Sequence, residues 1–539
     1  MRFDERRRLL WPLVLAAVFI FIPIIPFLTY PVGFWCSTDY EPLGLANALN
    51  MAYRLADLRL YVAEGTTQHP GVPFYIMSWL ALAFAGYPVA TLEEGFFRAV
   101  VDHAEEYHRL SVYVAAFVGA AGVYLFARTA LRLLPIGVVI VALLIWLVST
   151  PATILTFVTT GNEPVALLIN GLFLVILVRI ASDSDIDPKM MVLAGFVGAF
   201  AYLNKLAYVY VPLALVSAIF WKAVFCGASW RRGVRLIALS FFTFVGVIVA
   251  TGYFVLGWNA FIYLLKFHRN VILGSGLYGS GSQVVMSATA VWHAIMATAD
   301  DKTYALPLAL IVGTMLFTAG LVMGFKNRQE NKVAIIAIGA GLAAFFSALS
   351  VMKHYDSHYT AGVSASLPGC VLACYLLARG WNWRLRFSAI AVAWIAVLLM
   401  TGPVLLNIRD RMSLGSSASR LVLEDMKEVD ARTAVTKGLI DFTYRVPFPQ
   451  YLEGYVVHFA GIPRLSEEYV RSKGNIKNDL AAPSGTDIVG AYVLDKSYFP
   501  DAAAVRNAPK FDPLGAEPDH FEPGDELVEL HKVFLVIRK

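Results

Sequence analysis

The chain has 539 residues, 58% of them hydrophobic and only 15% charged, with a mean hydropathy of +0.62. A soluble globular protein carries nearer a quarter charged side chains, so this composition excludes a conventional soluble enzyme and points to a polytopic membrane protein. The net charge of +5 hides an asymmetry: beyond residue 410 acidic side chains outnumber basic ones, which leaves the membrane part basic. The positive-inside rule accounts for that excess without a nucleic-acid partner. The four cysteines, Cys36, Cys226, Cys370 and Cys374, fall in separate loops or within a span. They form neither a disulfide framework nor a metal-ligand spacing, and Cys370 and Cys374 read as packing residues on one helix face.

Arg6-Arg7-Arg8 precede an apolar run from Leu9 to about Tyr30 that lacks a small-residue cleavage site. It reads as an uncleaved first span that starts in the cytoplasm. The loop that follows, Ser37-Thr38-Asp39-Tyr40-Glu41-Pro42, sets two carboxylates one residue apart just beyond the membrane. A helix bundle has no structural need for them there. They suit a general base, a metal ligand or a substrate clamp. Next comes His69-Pro70-Gly71-Val72-Pro73, which opens a short apolar run over 72–85 that is expected to dip into the outer leaflet without crossing.

Further apolar runs lie at 109–131, 136–150, 164–180, 190–204, 206–225, 236–257, 304–323, 333–350, 361–378 and 388–406, so about eleven spans are expected. With the N-terminus inside, the inner loops hold Arg128 and Arg132, Arg179 and Lys189, Lys222 with Arg231, Arg232 and Arg235, Lys326 with Arg328 and Lys332, and Arg379 with Arg384 and Arg386. The dense basic clusters thus share one side. The runs at 136–150 and 190–204 are short. They lead into Thr159-Thr160-Gly161-Asn162-Glu163-Pro164 and Leu203-Asn204-Lys205-Leu206, where early helix ends leave a polar recess on the outer side. The segment 258–303 reads as an outer flap loop rich in Gly, Ser and Tyr, with His268 and Arg269 in its basic group. Lys353-His354-Tyr355-Asp356-Ser357-His358-Tyr359 then forms a dense ionisable cluster after the ninth span. From residue 409 to 539 the composition changes: helical periodicity over 418–435 gives way to strand-like runs at 486–494 and 526–537. This part is expected to be a soluble α/β domain on the outer, periplasmic or extracellular face. No internal repeat is visible.

Taken together, these positions resemble the GT-C fold, the polytopic glycosyltransferases that use a lipid-phosphate-linked sugar. In pattern the chain is most similar to protein mannosyltransferases and to the bacterial aminoarabinose and Rhizobium-type galacturonic-acid transferases. Asp39-Tyr40-Glu41 stands where the family carries a D-x-D or D-x-E motif in its first outer loop. His69-Pro70-Gly71 stands where it begins a helix with H-P-P or K-P-P, with a departure at the third position. Glu163 matches a second outer acid, Lys205 a lysine near the end of the fifth span, and Lys353 to Tyr359 a Lys/His/Tyr cluster.

The resemblance implies residues 1–408 as a catalytic membrane module in the cell membrane. A sugar would pass from a polyprenyl-phosphate donor, by inversion, to a glycan, lipid or protein acceptor. Asp39, Glu41 and Glu163 would be the catalytic acids, Asp39 serving as base. His69, Lys205, His268, Arg269, Lys353, His354, Tyr355 and His358 would bind the donor phosphate or the substrate. Asp39 and Glu41 would hold a divalent cation if one is used, although two carboxylates without a His make a weak metal set. Plainer readings stand beside these: Glu163 answering a helix dipole, His69 capping a prolyl helix start, and Lys205 snorkelling. Two other functions also fit the composition, a flippase or transporter of a lipid-linked glycan and a non-catalytic envelope scaffold. The missing duplication and the large outer domain count against alternating access.

Overall fold

The structure, a computed structural model, describes residues 3–29, 71–85, 104–155, 163–183, 186–226, 230–273, 287–326, 331–353, 355, 357–380, 383–434, 439–442, 489–496, 499–507 and 521–538. The chain divides into two units: residues 1–26, 67–77 and 112–408 in the first, and 27–66, 78–111 and 409–539 in the second.

The helices in chain order are α1 (Phe3–Thr29), α2 (Val72–Phe84), α3 (Ala104–Ala130), α4 (Ile136–Val148), the single turn α5 (Ala152–Leu155), α6 (Val165–Ser182), α7 (Pro188–Asn204), α8 (Tyr210–Phe225), α9 (Trp230–Thr251), α10 (Trp258–Leu273), α11 (Ala288–Asp300), α12 (Ala305–Lys326), α13 (Asn331–Met352), α14 (Thr360–Ser364), α15 (Leu367–Leu377) and α16 (Trp383–Thr433). Local chemistry sets several of their starts. The Asp187 side chain accepts from Lys189 N at 2.9 Å with Pro188 in the first turn, and Ser287 Oγ accepts from Ala290 N at 3.1 Å.

Among the described residues, eight segments are long and apolar enough to cross a membrane: Arg109–Ala130, Val165–Ser182, Leu206–Phe225, Arg231–Leu256, Ala305–Lys326, Asn331–Met352, Ser357–Leu377 and Phe387–Asp410. The protein is thus a mostly helical, multi-pass membrane protein. Of the other expected spans, Leu10–Ile25 and Ile136–Val148 are shorter apolar helices, and the run at 190–204 is the 17-residue helix α7.

α13 is the hub of the first unit, buried along most of its length and packed on α12, α8, α15 and α6. Glycine lets the backbones touch. A Cβ on Gly122 of α3 would lie 2.3 Å from the Leu167 backbone of α6, and Gly313 and Gly341 hold α12 against α13 in the same way. By contrast, α9 and the apolar stretch of α16 leave Phe241, Phe242, Leu398 and Leu399 exposed, as helices facing lipid do.

The segment 258–303, expected to be an irregular loop, instead forms α10 and α11 at its two ends. α10 buries Phe261, Leu264 and His268 at helical spacing, a short signal that the glycine-rich centre of the segment outweighed. That centre, 274–286, lies outside the described residues. Cys370 is buried as expected of a packing residue, whereas Cys374 is exposed one turn later.

In the second unit a four-stranded sheet has the order β1-β2-β4-β3, built from β1 (Leu439–Phe442), β2 (Val489–Asp495), β3 (Glu526–Glu529) and β4 (Val533–Ile537), with α17 (Ala502–Asn507) between β2 and β3. β1 pairs with β2 in parallel, and the other neighbours are antiparallel. Alternation divides the sheet into two faces. Ala491, Val493, Val533 and Leu535 pack on Met426 and Val429 of α16, while Tyr492, Leu494, Phe534 and Val536 pack on Phe499 and Val505. Buried Asp425 fixes the β3–β4 turn by accepting from His531 N at 2.9 Å and Lys532 N at 2.5 Å. The run at 526–537, read as one strand-like piece, is therefore a hairpin.

Candidate functional site

The site forms where the chain breaks between α7 and α8. Lys205 adopts an extended backbone (φ −163°, ψ 137°) between α7 and the 3-10 turn Leu206–Val209. Two polar contacts fix this break. Gly71 N donates to Leu203 O at 3.2 Å, and Ser350 Oγ at the end of α13 donates to Ala207 O at 2.9 Å. The Gly71 bond carries the start of α2 to within two residues of Lys205.

Glu163 lies just before Pro164 at the start of α6, where its carbonyl accepts from Ala166 N at 2.9 Å. Its carboxylate is therefore aligned with the positive end of the helix dipole. Glu163 Oε1 forms an ion pair with Lys205 Nζ in which the carboxylate side chain is 1% exposed and the lysine side chain 15%. The same ammonium lies 4.1 Å from the centre of the Tyr359 ring, which in turn meets the His358 ring at 3.9 Å between centres. Burial by itself would raise the Glu163 carboxyl. The Lys205 ammonium, helped by the His358 side chain, outweighs it and holds the group below its ordinary value.

Around the pair the packing is tight and polar. The Tyr208 ring fills the space where a side chain on Gly362 would sit, 2.6 Å from a Cβ placed there. Tyr210 Oη accepts from Asn170 Nδ2 at 2.8 Å. Buried hydroxyls pair between helices, Thr150 with Thr360 at 2.7 Å and Thr153 with Ser364 at 3.1 Å. Glu163 Oε2 and Tyr208 Oη are both buried and have no hydrogen-bond partner among the described residues. Unsatisfied buried polar atoms are uncommon, and one of these belongs to a carboxylate.

A second group centres on α10. Tyr202 Oη of α7 and His268 Nδ1 are 2.7 Å apart, while His268 Nε2 is buried without a partner among the described residues. Burial pushes the His268 ring down to about 4, so it is neutral at pH 7. Lys353 Nζ donates to Ile272 O at 2.5 Å, placing its charge at the carbonyl end of α10. Tyr355 Oη donates to Asp301 Oδ2 at 3.1 Å and shares a hydrogen bond with Thr303 Oγ1 at 2.9 Å. Arg269, the next residue along α10, is exposed.

Of the residues singled out from sequence, Glu163, Lys205 and His358 come together in the first group. His268, Lys353 and Tyr355 make the separate contacts just described. Asp39, Glu41, His69 and His354 lie outside the described residues. Among the described residues no three His, Cys, Asp or Glu side chains gather as a metal site. Tyr208, Tyr202, Asp301 and Thr303 were not singled out; the aromatic run around Tyr208 to Tyr210, directly after Lys205, was the available signal.

No protein-family model matches the chain, and no curated protein sequence matches it at a significant level. Chemically, the first group offers a buried acceptor oxygen, a partly accessible ammonium and an aromatic wall at the ends of apolar spans. That combination suits an anionic or hydroxyl-bearing headgroup presented from a lipid layer.

Proposed function

We propose that this protein is an inverting glycosyltransferase of GT-C type, with about eleven spans, that moves a sugar from a polyprenyl-phosphate donor to an acceptor at the outer face of the membrane. The observation that carries this reading is the buried Glu163–Lys205 pair, with a spare carboxylate oxygen, at a helix break between apolar spans. A membrane bundle gains nothing in stability from placing a charge pair and an orphan acceptor there, since burying both charges costs about as much as their attraction returns. A site that handles a phosphorylated headgroup has a use for both.

In the proposed reaction an acceptor oxygen attacks the anomeric carbon and forms the new glycosidic bond. The bond from that carbon to the phosphate oxygen breaks, and the polyprenyl phosphate leaves with the electron pair. Asp39 takes the acceptor proton, with Glu41 beside it. Lys205, with Lys353 and Arg269 as further cations and His69, His268, His354, Tyr355 and His358 as polar contacts, offsets the charge that grows on the phosphate. The clustering of basic residues in alternate loops supports a cytoplasmic N-terminus and an outer C-terminal domain.

The test compares envelope glycans by mass spectrometry in a deletion strain and in strains complemented with wild type, Asp39→Asn or Lys205→Met. One sugar is expected to vanish on deletion and to return with wild type alone. Full return with Asp39→Asn would remove Asp39 as the base. An unchanged glycan profile on deletion would remove the glycosyltransferase reading.

A further inference from the structure

The Glu163–Lys205 pair is lopsided. Lys205 retains 15% exposure of its side chain, whereas the carboxylate retains 1%. An anion arriving from outside can therefore reach the ammonium but not the carboxylate. The Lys205 ammonium also has a second partner in the Tyr359 ring, whose centre is 4.1 Å away. Among the described residues, the side chains that act on the Glu163 carboxylate are Lys205, which pairs with it, and His358. Tyr208 is neutral and its hydroxyl lacks a partner among the described residues.

We propose that this pair is a latch opened by a phosphodiester headgroup: the headgroup takes Lys205, and Glu163, left without its counter-charge, takes up one proton. The physical requirement is simple. Once Lys205 turns to a phosphate oxygen, two negative groups compete for one ammonium, and the carboxylate is the one shut off from water. A carboxylate stripped of the ammonium that pairs with it in such a place is neutralised by protonation, and buried glutamates titrating near pH 8–9 are documented. The incoming headgroup brings one negative charge and the proton one positive charge, so the net charge of the site is unchanged. The protonated Glu163 then has an O–H to donate to the headgroup. The choice of phosphodiester as ligand class rests on the proposed glycosyltransferase reading; the coupling between anion and proton rests on the pair itself.

The test uses the full-length protein in lipid nanodiscs and farnesyl methyl phosphate, a lipid phosphodiester that carries a single charge across the pH range used. Dimethyl phosphate serves as the water-soluble arm. Titration calorimetry in buffers of different ionisation enthalpy counts the protons. Wild type is expected to take up about one proton per ligand near pH 7 and to lose affinity by up to about tenfold per pH unit as pH rises. Glu163→Gln is expected to bind about tenfold tighter, with no proton uptake and no pH dependence, because nothing competes for Lys205. Lys205→Met is expected to lose binding. The wild-type proton count is decisive even if a variant fails to fold.

Binding with no proton uptake and an unchanged affinity in Glu163→Gln would overturn the latch and leave the glycosyltransferase reading standing. Failure of wild type and Glu163→Gln alike to bind either phosphodiester would overturn both. Equal binding of dimethyl phosphate, with the same proton uptake, would keep the latch and assign it to free phosphodiesters instead of lipid-borne ones.

Discussion

Removing one member of the Glu163–Lys205 pair is expected to have very unequal effects, depending on which charge remains. Lys205→Met leaves a carboxylate that is 1% exposed, with Oε2 already without a partner among the described residues and Oε1 newly so. Breaking a buried pair in this way costs about 3–5 kcal/mol. Glu163→Gln leaves an ammonium that retains some solvent and the Tyr359 ring, so its cost is expected to be about 1–2 kcal/mol. The double variant removes both charges and should recover most of the loss, because the orphaned carboxylate is then absent. The assay is the unfolding midpoint of the four proteins in the same detergent, read by intrinsic fluorescence at pH 7. The sign with pH follows from the lowered Glu163 carboxyl: the stabilisation is present above the ordinary glutamate value and is lost as pH falls through the depressed one. Equal midpoints for Lys205→Met and wild type, or a larger loss in Glu163→Gln than in Lys205→Met, would refute the assignment of a desolvated carboxylate.

Two further predictions concern the scaffold. His268 is buried with its ring held down at about 4, so folding stability should fall as pH drops from about 6.5, the free histidine value, toward 4, by up to about 3 kcal/mol. His268→Phe should abolish that slope in unfolding midpoints measured across the window, and a slope that persists would place the titration elsewhere. Gly122→Val should destabilise the membrane unit by about 3 kcal/mol or more, since its Cβ would meet the Leu167 backbone at 2.3 Å. Gly137→Ala, whose Cβ meets nothing within 4 Å, should leave the midpoint unchanged or slightly raised; equal effects of the two substitutions would contradict the close helix contact.

The helical membrane part was legible because a long apolar run has few alternatives in lipid: the backbone must satisfy its own hydrogen bonds, and only a helix does so locally. The strands at Val489–Asp495 and Val533–Ile537 were legible for a related reason, since two-residue alternation sorts Ala491, Val493 and Val533 onto one face and Tyr492, Leu494 and Phe534 onto the other. The helices in 258–303 were missed because composition was averaged over the segment, and the glycines of its centre masked short periodic ends. At the site, sequence supplied the charged residues but not their pairing. Glu163 and Lys205 are 42 positions apart, and nothing in their spacing says that one ammonium serves the other. Lys353 shows the opposite case. As a lysine on what reads as the outer side it demanded an explanation, and the Ile272 carbonyl supplies a structural one: a cation at the end of a helix. A charge that escapes the positive-inside rule therefore marks a site only when its partner is not itself explained by the fold. Lys353, on a helix terminus, does not meet that criterion, so its part in holding the donor phosphate rests on the resemblance alone. Lys205 meets it, because the carboxylate it neutralises is buried where the bundle has no need of one.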